Sequence, residues 1–329
     1  MKFFLDFLIC IKCKSSDIDF SEVTEDDQHL LGFIKCRNCS SEYVFEEGVL
    51  NLLSESVVDN NELRNSEAYS DFWERGVDEA IYANITHENN LISSWSDQFV
   101  GKSFIDIGCG NGRHMHHWVS KEFDTLIFVD ISNAIVESKK KFDRLRRNNQ
   151  KAIFIKGSLN NIPIKKESID VVWSSGTLGL VNDQERALCE MIRISKDRLY
   201  LSVLTDKTMA GKIYVAANVI KPLVNKITNF SILYKFAKVL AFFVFYLLKI
   251  MRFFRIHTKF LNKETLDKVC LDSNSIKRIQ WGLYDPIIIP KIVKHPDEFY
   301  FFIAKKHGFN LDSHQTEIIS DYYFFRKEV

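Results

Sequence analysis

An α/β fold on a mainly parallel sheet, with a small cysteine module ahead of it and a helical insertion late in it, is what this sequence predicts. Three observations carry that expectation. From Phe104 to Val203, short apolar runs that end in acids or small polar residues alternate with segments of helical period. Two Cys-x-x-Cys pairs stand near the N-terminus. Further on, the segment 207–263 contains no Asp or Glu at all. The 329 residues are enough for two domains or one elaborated domain, and an apolar content of 46% is ordinary for a chain with a real core.

Met1–Cys10 is apolar but interrupted by Asp6, and it reads as a strand rather than a leader. Cys10-x-x-Cys13 and Cys36-x-x-Cys39 are separated by 22 residues. Each pair sets two thiolates on a tight turn, and two such turns complete a tetrahedral, closed structural site suited to zinc. Seven cysteines with this paired spacing point to thiolate chemistry in a reducing cytoplasm. The module is too small to fold on burial alone, so metal binding is expected to supply part of its folding free energy. The larger α/β portion is expected to have its own core.

Asn60–Phe99 is polar with scattered aromatics. Tyr69, Phe72 and Trp73 fall on one helical face, which either lies over a ligand or packs the helix onto the sheet. Phe104-Ile-Asp-Ile-Gly-Cys-Gly-Asn-Gly-Arg113 is an apolar run closed by Asp106, followed by Gly108, Gly110 and Gly112 at alternate positions. It reads as a buried strand turning tightly into a helix over Arg113–Val119, with a main chain that a ligand can approach closely. Thr125–Asp130 is the second strand. Its terminal acid either accepts ribose hydroxyls or caps the helix that begins near Ser132. Ala152–Lys156 and Ser168–Ser174 are the third and fourth strands. Glu185–Ile194 is a helix with Leu188, Met191 and Ile192 on one face, and Arg198–Val203 is the fifth strand. His295–Lys306 reads as a helix ended by Gly308, before the strands Phe309–Thr316 and Asp321–Lys327. Of His114, His116 and His117, the i,i+2 pair does not share a helix face, and no nearby carboxylate or cysteine completes a metal set.

The Asp106-x-Gly108-x-Gly110-x-Gly112 run resembles motif I of the class I S-adenosylmethionine (SAM) methyltransferases, D-x-G-x-G-x-G. Gly157-Ser158-Leu159 through Pro163, with Ile169-Asp170-Val171 after it, resembles the later family pattern. There Ser158 replaces the acid that usually faces the adenine amino group. The resemblance covers about half of the chain and is to the ubiquinone/menaquinone-methyltransferase type. It implies a Rossmann-like, seven-stranded methyltransferase sheet closed by the hairpin 309–327. It also implies SAM as cofactor, contacted by Asp106, Gly108, Gly110, Gly112, Asp130, Ser158 and Leu159. Ser175–Asp183 matches the loop after the fourth strand, with Gly179 and Leu180 where relatives often carry His, so no general base is nominated. Ser195-Lys-Asp197 stands where a Pro-Gly-Gly turn is common. Gly282-Leu-Tyr-Asp-Pro-Ile resembles an acceptor-side loop, which makes Tyr284 and Asp285 candidate acceptor contacts. Ser41–Leu53 resembles the end of the small zinc-ribbon domain that activates tRNA and rRNA methyltransferases and also occurs fused to small-molecule methyltransferases. The implied organisation is a zinc ribbon over 1–54, a SAM-binding core with N-terminal helices over 55–205, a basic helical cap over 206–294, and the closing helix and strands over 295–329.

The acid-free segment carries eleven Lys and Arg, whereas the whole chain is only +1, so the remainder is −10. Wound as a helix at about 100° per residue, Ser231–Ile256 places Lys235, Lys238, Lys249, Arg252 and Arg255 within an arc of roughly 160°, with Phe, Leu, Val and Ile opposite. Two readings stay open: a cap whose apolar face meets the core, and a cap that also lies on an anionic membrane surface. The ten apolar residues Val239–Leu248 are too few to cross a bilayer. Nor do they interleave polar and stacking groups as a nucleic-acid groove does. The functional expectation is SAM-dependent methyl transfer to a small or lipid-linked acceptor by a cytoplasmic protein, peripheral to the inner membrane face under the second reading. The alternatives are rRNA or tRNA base methylation, and a non-catalytic SAM- or zinc-dependent interaction protein. The acceptor atom and the oligomeric state are left open.

Overall fold

A single sheet orders the chain, and it begins inside the cysteine module. In the computed structural model, residues 5–26, 29–53, 60–76, 100–147, 150–205, 209–256, 275–289, 295–316 and 320–328 are described. Strands β1 (Ile18–Asp26), β2 (His29–Cys36), β3 (Glu42–Glu46) and β4 (Val49–Asn51) form an antiparallel meander. The α/β portion contributes β5 (Ser103–Ile107), β6 (Thr125–Asp130), β7 (Ala152–Lys156), β8 (Ile169–Ser175) and β9 (Ser195–Val203), followed by β10 (Phe309–Thr316) and β11 (Asp321–Lys327). The order across the sheet is β1-β2-β3-β4-β7-β6-β5-β8-β9-β11-β10. From β7 to β9 the pairing is parallel, and β11 inserts antiparallel between β9 and β10. This is the Rossmann-like sheet the sequence predicts, with its reversed closing hairpin in the expected place.

Helices cross between the strands as an α/β fold requires. α1 (Asn60–Glu74) precedes β5. α2 (Met115–Ser120) starts two residues later than expected, because the chain is still turning at Gly112, whose N–H donates to the Cys109 carbonyl at 3.0 Å. α3 is Ala134–Leu145. α4 (Gln184–Ile194) is capped by Asp183, which accepts the Arg186 N–H at 3.0 Å. β9 begins at Ser195, three residues before the expected start, because Ser195 already pairs with Ile169 of β8. Leu8 makes one isolated antiparallel bridge to Ile164, so the described part of the N-terminal segment is a turn and not the expected strand.

The cysteine module shares the main core. β4 joins β7 in parallel, with Leu50 opposite Ile155. The apolar cluster that begins with Leu8, Ile11, Ile34 and Leu50 runs without a break into Ile105, Ile127 and Val172. The meander therefore extends the sheet instead of standing beside a separately cored body.

The late insertion is helical where it is described: α5 (Met209–Ala217), α6 (Lys221–Val224), α7 (Phe230–Phe253) and α8 (Ser275–Ile288), followed by α9 (Asp297–Lys306). Lys207, Lys259 and Lys263 lie outside the described residues, as do 77–99 of the polar segment. α7 buries a stripe of Leu233, Ala237, Ala241, Phe245 and Met251, and Leu233 and Ala237 of that stripe pack with α8. Around it gathers a third apolar cluster with Phe72 from α1 and with Trp281 and Tyr284 from α8.

Because Leu50 is 2% exposed inside the shared cluster, Leu50→Ala should cost about 2–4 kcal/mol. Urea denaturation should show one transition shifted as a whole. A separate early transition that leaves the α/β portion unshifted would contradict the shared core.

Candidate functional site

The parallel strands deliver their C-terminal ends to one cavity of about 280 Å³. β5 ends in the glycine turn. Gly108 and Gly110 have φ of 78° and 55°, in the left-handed region that side chains avoid. A Cβ on Gly108 would sit 2.0 Å from the Thr177 Oγ1, and one on Gly110 would sit 2.9 Å from the Trp73 ring. Both glycines line the cavity, together with Asp130 and Leu159.

Asp130, at the end of β6, fixes the turn from the side. One carboxylate oxygen accepts the Gly110 N–H at 2.8 Å. The other accepts the Ser132 N–H at 2.8 Å and its hydroxyl at 2.6 Å. Burial pushes this carboxyl up from its ordinary value, and these hydrogen bonds pull against that. Asp130 thus organises the entry to α3 and also lines the cavity, so its capping role does not remove it from the cavity wall. Asp106 and Gly112 lie behind the loop. Asp106 is buried and accepts the Trp118 indole N–H at 3.0 Å, and Gly112 packs against Ser138.

Three sites tie α1 across the strand ends. The Ser66 hydroxyl donates to the Ile131 carbonyl at 2.6 Å, Asn65 donates to the Leu180 carbonyl at 2.9 Å, and the Ser70 hydroxyl accepts the Asn133 N–H at 2.9 Å. Its aromatic face packs mainly on the late insertion and also borders the cavity. Phe72 is fully buried in the third cluster, yet Tyr69, Phe72 and Trp73 all reach the cavity wall. Ser158 caps a short 3-10 turn by accepting the Asn160 N–H at 3.1 Å, and it donates its hydroxyl to Glu62 of α1. Asn160 donates to the same Glu62 oxygen at 2.9 Å. A carboxylate therefore stands beside Ser158 after all, brought there from another element. Glu62 and Arg113 line the cavity and were not singled out by sequence. Arg113 also donates to the Ser175 hydroxyl at 2.9 Å.

On the insertion side, Asp285 lines the cavity although it is only 3% exposed. It accepts the Tyr69 hydroxyl at 2.9 Å and the Tyr214 hydroxyl on its other oxygen. Tyr284 does not line the cavity. Its hydroxyl donates to Asp71, which also holds Arg75 through two bonds of 2.6 Å. The stretch expected as an acceptor-side loop is helical, and Pro286 lies inside α8. The buried Lys221 ammonium donates to the carbonyls of Pro286, Ile287 and Ile289 at the end of that helix, where a cation is favoured. Burial pushes Lys221 down to about 8, while Asp285 nearby pulls it up.

The four thiols of Cys10, Cys13, Cys36 and Cys39 lie within 4.8 Å of one another, and they are the one group among the described residues able to hold a metal ion. Cys10 and Cys39 are 3.6 Å apart and Cys13 and Cys36 are 3.5 Å apart. Tetrahedral zinc at the usual Zn–S length would set its thiolates about 3.8 Å apart, so the donors fit that ion. Ser41 hydrogen-bonds to Cys39 and holds its thiol down at about 6. Tyr43 adds a hydrogen bond to Cys10 at 3.0 Å. The three histidines assemble no metal set: His114 is buried and accepts the Arg113 Nε–H at 2.9 Å.

Residues 105–202 match the family model described as a methyltransferase domain. No curated protein matches the chain in sequence. Among solved structures, it is similar to the magnesium protoporphyrin IX methyltransferase of Synechocystis PCC 6803 at 13% identity and a TM-score of 0.48, covering 82% of this chain and 100% of that one. It is also similar to a protein of Listeria monocytogenes assigned as a SAM-dependent methyltransferase, at 13% identity and a TM-score of 0.45, covering 75% and 100%. The glycine turn and the strand order agree with that match: residues 105–202 carry the Rossmann-like fold of a methyltransferase domain.

Asp285→Ala would remove the acceptor of the buried Tyr214 hydroxyl and of the part-buried Tyr69 hydroxyl, and it should cost about 2–4 kcal/mol. Asp285→Asn keeps an acceptor oxygen and should cost about 1 kcal/mol. Equilibrium denaturation of the two variants checks this order.

Proposed function

We propose that this protein transfers the methyl group of SAM to a small or lipid-linked acceptor held against Asp285. One observation carries the reading: a single cavity has Gly108, Gly110 and Asp130 in one wall and Asp285, gripped by Tyr69 and Tyr214, in another. SAM supplies an already activated methyl on its sulfonium, so the protein's task is alignment and exclusion of water. In this reading Asp130 accepts the ribose hydroxyls and Leu159 lies on the adenine. Glu62, braced by Ser158 and Asn160, faces the adenine amino group in place of an acid at position 158. Arg113 offers a cation to the carboxylate end of the cofactor, and Trp73 closes over the turn at Gly110. Asp106, Gly112 and Ser158 act from behind by holding the loop and Glu62 in place. Asp285 accepts a hydrogen bond from the acceptor's reacting group beside those of Tyr69 and Tyr214. Tyr284 supports α8 and does not touch the acceptor. Cys10, Cys13, Cys36 and Cys39 hold one structural zinc.

Calorimetry should show SAM binding to the wild type, with Asp130→Ala weakened about 10- to 100-fold, the loss of a hydrogen-bonded charge. Gly110→Val should bind weakest, since its side chain would enter Trp73. Unchanged affinity in both variants would overturn the site. With methyl-labelled SAM and cell extract, label should pass to the small-molecule or solvent-extractable lipid fraction. Label in RNA would favour base methylation, and binding without any transfer would favour the silent binder.

For the metal, elemental analysis of protein prepared without chelator should give one zinc per chain. Cys36→Ser or chelation should remove it and lower the midpoint of the whole unfolding transition, because the thiols sit in the shared core. Metal-free protein of undiminished stability would sink the zinc assignment.

A further inference from the structure

The apolar face of α7 that sequence alone could have placed on the core is turned outward. Sixteen of the twenty-two exposed large apolar side chains among the described residues fall between Ile213 and Ile256, so this exposure is concentrated in one insertion. Phe243 is 66% exposed, Leu247 56% and Phe253 81%. Wound at about 100° per residue, Ile232, Phe236, Val239, Phe243, Leu247 and Ile250 centre about 130° around the helix from the buried stripe. Lys235, Lys238 and Lys249 are exposed along one flank of that face. The turn between α5 and α6 exposes Val219, and α6 exposes Leu223.

We infer that this insertion docks α7 flat onto an anionic lipid surface, with its aromatic face among the acyl chains and its lysines at the headgroups. An apolar stripe with a cationic border is the composition of an interfacial helix. Charge complementarity selects the occupant. The segment from Lys207 to Lys263 has no acid to answer its own lysines, and an anionic headgroup layer does. A second copy seated on the same face would bring both sets of lysines together with no carboxylate between them. Helix α7 is long and apolar enough to cross a bilayer by length and composition. Its buried stripe from Leu233 to Met251 is already covered by the rest of the chain, however. The uninterrupted run Val239–Leu248 spans about 15 Å, half of a hydrocarbon core. Lying flat satisfies both constraints. The same insertion supplies Tyr214 and Asp285 to the cavity, so docking would bring the acceptor wall to the bilayer.

Flotation of the full chain with vesicles tests this without reference to SAM. The wild type should float with phosphatidylcholine vesicles containing phosphatidylglycerol, and more weakly at high salt or with pure phosphatidylcholine. Lys235→Gln, Lys238→Gln and Lys249→Gln together should weaken low-salt binding roughly a hundredfold, at about fivefold for each lysine. Phe243→Glu with Leu247→Glu should abolish flotation while the thermal midpoint stays unchanged, since both side chains are exposed. The inference fails if the wild type remains in the soluble fraction or if both variants float as well as it does. It fails equally if Phe243→Glu with Leu247→Glu instead dissolves a dimer seen in the absence of vesicles, which assigns the face to a second copy. Retention on total RNA in place of vesicles assigns it to nucleic acid.

Discussion

The bond between the Asp130 carboxylate and the Gly110 N–H holds the site in register. It joins the ends of two neighbouring parallel strands just where both must stop, and the same carboxylate starts α3 through Ser132. A buried acid without donors would be costly. Here three donors converge on it, so the turn of β5, the end of β6 and the first turn of α3 become one rigid corner. Glycines then follow from that corner: the main chain must approach Thr177 and Trp73 more closely than any side chain permits.

Contacts of helix α1 extend the same logic. Ser66, Asn65 and Ser70 fasten it to the loops after β6 and β8, so its position is set by the corner below it. Once fastened, it presents Glu62, Tyr69 and Trp73 to the cavity. Glu62 shows how a local sequence departure can be compensated in space. Ser158 alone offers only a hydroxyl, and the helix adds the carboxylate next to it.

The alternation of apolar runs and helices, with glycines and acids at the strand ends, made the parallel sheet and its closing hairpin legible from sequence, because period and turn chemistry are local properties. The cysteine spacing likewise announced a four-thiol cluster. What could not be read was which surfaces meet. No local signal tells that β4 pairs with β7, that Glu62 reaches Ser158, or that Tyr69 and Tyr214 close on Asp285 from different elements. Sequence also joined Tyr284 to Asp285 as one candidate pair, although successive residues of α8 point to different neighbours. The outward turn of the α7 aromatic face has the same origin, for an amphipathic pattern names two faces without saying which one finds a partner.

The parallel junction of β4 with β7 bears on what may be cut away from this protein. β7 is built from buried apolar residues, Ile153, Phe154 and Ile155, and in the intact chain its outer backbone groups are paired. Remove the meander, and that strand becomes a flat, greasy sheet margin with open donors and acceptors, the kind that recruits strands from other molecules. The small N-terminal module therefore also covers that edge, and a fragment trimmed to the α/β portion would expose it.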